Sequence, residues 1–164
     1  MARILSDGNT NVTWVPAIAD ISAPKAATEL LAVGSVDLEG FITPDGANIA
    51  NPTEGTIDAS VLSSTSEYES PGRYKLSTDL VCKRDGTTGS DKAWTTFVRG
   101  TNGFIVVRRN LPVATAYAAA QLVEVYTVTV GKRTMQKPTK NTLATFIVHL
   151  YHSGADNDNA TVAT

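Results

Sequence analysis

The stretch from Ala118 to Tyr151 constrains this chain more than any other. It reads AAAQLVEVYTVTVG, then KRTMQKPTK, then NTLATFIVHLY. Both apolar runs are rich in Val, Thr, Ile, Tyr and Phe, whose branched or aromatic side chains suit a pleated surface and lose rotamer freedom in a helix. Gly131 and Pro138 interrupt regular structure in and around the basic connection. The pattern predicts a long hairpin of two adjacent strands, and with it a mainly β protein.

With 164 residues the chain is long enough for one domain with its own core, over residues 1–164. Cys82 is the sole cysteine, so no intrachain disulfide forms. It alternates with Leu80 in a strand-like run and reads as a small buried residue rather than a reactive thiol. The Met1 region lacks the apolar run of a signal peptide, and no stretch has the length of a membrane helix. The expectation is a soluble protein made in a cytoplasm, with the sequons at Asn11 and Asn159 idle.

Net charge is −2, too small to recruit a polyanion by its global field. Its distribution is more telling. Between Lys25 and Arg73 every charge is acidic: Glu29, Asp37, Glu39, Asp45, Glu54, Asp58, Glu67 and Glu69. Later the balance inverts, with Lys83, Arg84, Lys92, Arg99, Arg108, Arg109, Lys132, Arg133, Lys137 and Lys140. An acidic part and a basic part suit contact between copies of one chain. Independently solvated charges are the other reading.

In chain order, Asn11–Val15 reads as a short strand closed by Pro16. Ser22-Ala23-Pro24 starts a short helix with Ala26, Ala27, Leu30 and Leu31 on its apolar stripe. Val36, Leu38 and Ile42 alternate with Asp37 and Glu39, as in a half-buried strand. From Thr43 to Gly72 large apolar residues are few, which predicts a loop of roughly thirty residues, longer than the ~15 usual for structureless connections. Arg73–Lys83 alternates again, with Tyr74, Leu76, Leu80 and Cys82 on one face. DKAWTTFVRG predicts one good helix, with Ala93, Trp94, Phe97 and Val98 on its apolar side, Trp94 and Phe97 as anchors, and Gly100 as the stop. FIVVRR is a strand. The polar tail from about residue 153 is expected to fray unless docked.

Candidate chemistry is sparse. His149 and His152 are three apart and face opposite ways on a strand, so they share no metal, even with Asp156 and Asp158 nearby. Gly86–Lys92 is a poor match to a phosphate-binding loop, because Lys92 does not follow Gly89 directly. Arg108 and Arg109 end a strand facing opposite ways and form no guanidinium clamp. No nucleophile with a partnered base is evident, and the chain reads as a non-enzyme without cofactor or metal.

Several pieces, in order, carry a resemblance: MARILSDGNTNVTWVPAIADISAP, the FITPDG turn, SPGRY, the block KAWTTFVRGTNGFIVVRRNLP, AQLVEVYTVTVG and the late ATFIVHLY. Together they resemble the major tail proteins, or tail-tube proteins, of long non-contractile-tailed bacteriophages, from about Ala2 to Tyr151. The resemblance implies a β-sandwich or partial barrel with one flanking helix. It implies rings, usually hexameric, that stack into a tube in the virion tail, assembled in the host cytoplasm. The tube would house the tape-measure protein, pass double-stranded DNA without binding it specifically, and end on tail terminator and distal tail proteins. No membrane partner is implied. A tail terminator, a contractile-tail tube or a carbohydrate-binding β-sandwich are the alternatives.

On this reading Asp37 and Glu39 face the lumen. The long loop, with Asp45, Ile49, Glu54, Ile57, Asp58, Glu67 and Glu69, contacts the adjacent ring. The complementary basic surface is drawn from Lys132, Arg133, Lys137 and Lys140, with Arg108 and Arg109 as second candidates.

Overall fold

The computed structural model describes residues 8–63, 65–87 and 90–164. The first seven residues and Gly89 of the rejected phosphate loop lie outside these. The strands are β1 (Asn11–Val15), β2 (Val36–Asp37), β3 (Ile42–Asp58), β4 (Glu69–Lys83), β5 (Asn102–Arg108), β6 (Leu122–Met135) and β7 (Thr145–Thr161). They form one sheet in the order β2-β1-β5-β6-β7-β4-β3, every neighbouring pair antiparallel. The expected β6–β7 hairpin is at its centre.

The chain passes from β2 to β3, which sit at opposite ends of that order. Five residue steps, Asp37 to Ile42, span at most about 18 Å. The two ends must therefore face each other, so the single sheet curls into a partial barrel rather than splitting into two separate sheets. The short connection is tied to both sides: Leu38 N–H donates to Val12 O of β1 at 2.7 Å, and Lys83 N–H of β4 to Phe41 O at 2.7 Å. The main core fills the concave side. It gathers Val12 and Trp14 from one end, Ile42, Leu80 and Cys82 from the other, and Ile105, Val128, Phe146 and Val148 between.

A second cluster lies on the outer face, where Val15, Val106, Val123, Val125 and Ala160 are roofed by Leu30 and Tyr117. The central strands are thus buried on both sides, which accounts for the unbroken apolar run Phe104–Val107. At Gly103 an added Cβ would lie 2.4 Å from the Trp14 ring, so the indole occupies the space a side chain would need.

Four sequence expectations change. Residues 43–72 are no loop: most of them belong to β3 and β4, which pair from Ile42↔Cys82 out to Asp58↔Glu69. A ladder satisfies backbone groups without asking for apolar side chains, so hydrophobic periodicity misses it. The tail from 153 is also a strand for most of its length, held by Tyr126↔Asp156, Val123↔Ala160 and Leu122↔Thr161, with Ala160 and Val162 buried.

The flanking helix α1 is only Lys92–Thr96. Phe97 leaves helical dihedrals (φ −81, ψ 67), drops fully into the core, and turns Val98 out to solvent. The early helix is a single π turn, Ala26–Leu30, whose i→i+5 bonds rotate Leu30 inward and leave Leu31 exposed.

Candidate assembly surfaces

β4 pairs with β7 only from Ser77 to Lys83. Beyond that point β3 and β4 pair with each other alone, through Pro52↔Leu76 and Thr53↔Lys75 to Asp58↔Glu69. The result is a two-stranded arm about 23 Å long, seven residue steps at ~3.3 Å each, that leaves the β7 edge. Residues 51–58 are all exposed. Close backbone approach shapes the arm, since a Cβ on Gly72 would meet Gly55 O at 2.7 Å.

At its tip Ala59 N–H donates to Tyr68 O at 2.9 Å and Tyr68 N–H to Ser60 Oγ at 3.0 Å. The Ser60 hydroxyl and N–H hold the Asp58 carboxyl below its usual range. Asp58 stands directly opposite Glu69, with Glu67 two residues away, so like charges face one another across the ladder. Val61 and Leu62 are exposed beside them. Of the other residues expected to act in stacking, Glu54 and Ile57 are exposed on the arm and Asp45 is exposed nearer its root. Ile49 is half-buried against the main core.

The root of the arm holds a polar chain that the sequence does not advertise. Ala50, at a bulge with φ 53, donates its N–H to Thr78 Oγ1 at 2.9 Å. That hydroxyl is 2.9 Å from His152 Nε2, and His152 Nδ1 is 3.4 Å from Asp156 Oδ1. Hydroxyl, imidazole and carboxylate stand in the order of a nucleophile, its base and its orienter. Thr78, however, is only 1% exposed and already accepts a backbone N–H, so the trio ties β3 to β4 and β7. His149 lies outside that chain and meets Asp79 at 2.6 Å. No group of three or more metal-ligating side chains occurs among the described residues. Burial pushes the Cys82 thiol up to about 12, which makes it inert at neutral pH.

At the opposite end of β4, the β6–β7 connection, residues 136–144, lies beside Lys83. A groove of about 430 Å³ runs there, lined among others by Thr43, Val81, Lys83, Lys137 and Leu143. Lys132, Lys137 and Lys140 are exposed at this end.

The three arginines are not free. Arg133 bonds Trp94 O and lays its guanidinium 4.1 Å from the Trp94 ring centroid, with Arg84 at 4.0 Å from the same centroid. Arg109 makes a two-pronged pair with Glu124, at 2.6 and 3.1 Å. Arg108 is fully buried. It donates to Gln121 Oε1 and Pro112 O and lies 4.9 Å from the Tyr117 ring centroid. A strand-end arginine is expected outside, but the 112–121 segment folds over this one. Trp94 and Phe97 both reach the core: Phe97 is fully buried, edge-on to Trp14, and Trp94 is half-buried, edge-on to Phe146.

The acid pair sits at the seam of the curled sheet. Asp37, exposed in β2, accepts the Thr13 hydroxyl at 2.8 Å. Glu39, in the turn that follows, is half-buried, and burial pushes its carboxyl above the ordinary range. Asp37 adds to that rise, while the Glu39 backbone N–H and Arg108 oppose it.

An exposed two-stranded arm, open sheet edges and charged ends suit contact with other subunits. The sequence matches the phage tail tube protein family over residues 1–164, and the chain belongs to that family. It is a structural component of the virion tail that assembles with copies of itself. A search among curated proteins found no match. No helix among the described residues is long and apolar enough to cross a membrane.

Proposed function

We propose that copies of this chain close head to tail into rings, of the hexameric kind usual in such tubes, and that the rings stack into the tail tube of a long non-contractile tail. The observation that carries this reading is the arm. A two-stranded hairpin this exposed is marginal in water by itself, so it is built to be completed by another subunit. Around the ring, strands of neighbouring subunits continue one sheet and satisfy edge groups that would otherwise invite aggregation. Ring closure needs a head-to-tail contact whose rotation closes, and stacking needs a second, different one.

The tube houses the tape-measure protein, passes DNA at ejection, and is bounded by terminator and distal tail proteins. Each phosphate contact adds salt-sensitive affinity, so a conducting wall is better acidic than basic. Asp37 and Glu39 are assigned to that wall, and Asp37 is the more open of the two. The acidic arm meets a basic surface of the next ring, now narrowed to Lys132, Lys137 and Lys140.

Negative-stain electron microscopy of the purified protein tests this directly. Rings or tubes are expected. A monodisperse monomer at every salt and protein concentration overturns the reading.

A further inference from the structure

Between β5 and β6 the chain crosses the outer face of the sheet as a strap, residues 112–121. Its ends are tied through the backbone, Val113 N–H to Gly8 O and Ala120 N–H to Val162 O, both at 2.9 Å. Between those ties only Tyr117 is buried, and residues 114–116 and 118–120 are all exposed. Tyr117 is the plug. Its hydroxyl meets Thr13 Oγ1 at 3.0 Å and donates to Asn11 Oδ1 at 3.3 Å. Burial pushes that hydroxyl up to about 12, so it remains a donor at neutral pH. One end of the strap is strained: Ala120 has φ 67, a left-handed conformation that its Cβ disfavours and that glycine would adopt freely.

The strap covers an arginine without a counter-ion. Arg108 is fully buried, and no carboxylate forms an ion pair with it among the described residues. Glu39 is near enough to feel its charge, yet makes no such pair. The guanidinium carries five N–H donors. Gln121 Oε1 and Pro112 O accept one each, and Nε has no hydrogen-bond partner among the described residues. Both acceptors belong to the strap, so the strap holds the guanidinium in place. A charge taken out of water without an opposite charge is costly, and an unbonded N–H adds to that cost. The strained end and the unpaired charge both weaken the closed strap, and a single tyrosine keeps it shut.

We propose that the 112–121 strap is a latch, shut in the free subunit and opened on assembly, which frees Arg108 to pair with a carboxylate of a second copy. This rests on the tube reading and adds a step that a subunit takes as it joins. A carboxylate suits the guanidinium because it accepts two parallel N–H groups at once and removes the unpaired charge. Departure of Tyr117 orphans nothing beneath it, since the Thr13 hydroxyl also lies 2.9 Å from Asn11 Oδ1 and 2.8 Å from Asp37 Oδ1. The closed latch withholds an interface charge until a growing end supplies its partner.

The critical concentration for tube growth, read by sedimentation, tests the latch with substitutions that push it opposite ways. Ala120→Gly relaxes the closed form and should raise that concentration about fivefold, the scale of one left-handed alanine. Tyr117→Phe loses the hydroxyl contacts that hold the strap shut and should lower it about fivefold, the scale of one hydrogen bond. Arg108→Met removes the unpaired charge and keeps a long side chain. Its free subunit should melt no lower than wild type, while its critical concentration rises about tenfold or more. An arginine that only supports the fold would lower the melting temperature, and an idle one would leave tube growth unchanged; either result overturns the proposal. Where Arg108→Met does not fold, the two strap variants decide. Shifts of those two in the same direction, or none beyond roughly twofold, overturn the latch and leave the tube reading intact. A wild-type protein that never forms tubes overturns both.

Discussion

Replacing Phe97 with Ala probes the packing on which the curled sheet depends. Phe97 is fully buried, and its ring meets Trp14 edge-on at 5.8 Å between centroids. Trp14 in turn fills the space left by Gly103, so the cavity opened by truncation has rigid walls on that side. A site that cannot collapse suffers both the lost transfer energy and the cavity, about 3–5 kcal/mol for Phe→Ala. For a domain of this size that is a fall in Tm of ~6–20 °C.

Trp94→Ala should cost less, roughly 2–3 kcal/mol. Its ring is only half-buried, and the two guanidiniums against it contribute about 0.5–1 kcal/mol each at such a site. The assay is thermal unfolding by circular dichroism at concentrations below those at which rings form, with Phe97→Leu as the milder control. A Phe97→Ala protein that melts within about 2 °C of wild type, where ~1 kcal/mol is the detectable step, would refute the placement of this core.

Two further predictions concern the acid pair. Burial raises the Glu39 carboxyl above its ordinary value of 4.5, so its ionised form costs stability as pH rises through the folded value, and the cost is absent below the ordinary one. Glu39→Gln should therefore raise Tm at pH 7 and leave it unchanged near pH 4; a lower Tm at pH 7 would mean that attraction to buried Arg108 outweighs burial. Replacing both Asp37 and Glu39 with Lys should leave tubes visible but slow DNA ejection from reconstituted particles. Loss of the tubes themselves would place the pair at an interface instead of the lumen.

Local pattern alone determined the strand class, the central hairpin and the anchors. Val, Ile, Thr and aromatic residues at a period of two carry that information within a few neighbouring residues, and β1, β5, β6 and β7 follow from it. So does Phe97, whose burial repeats a helical spacing even though the helix is only one turn long. The order and spacing of whole segments carried the family.

What only the tertiary structure decided is where polar residues go. The arm 51–58 and the far end of β7 are strands because each has a partner ladder, and hydrogen bonding between backbones leaves no mark in side-chain hydrophobicity. Arg108 and Arg109 are adjacent in sequence, yet one is buried beneath the 112–121 segment and the other pairs with Glu124 at the surface. Thr78, His152 and Asp156 meet only because β4 and β7 lie side by side. The separation of an acidic tip from a lysine-lined groove by the length of one strand is likewise invisible in composition. Partners distant in the chain decide the environment of a charge, and those partners exist only once the sheet has formed.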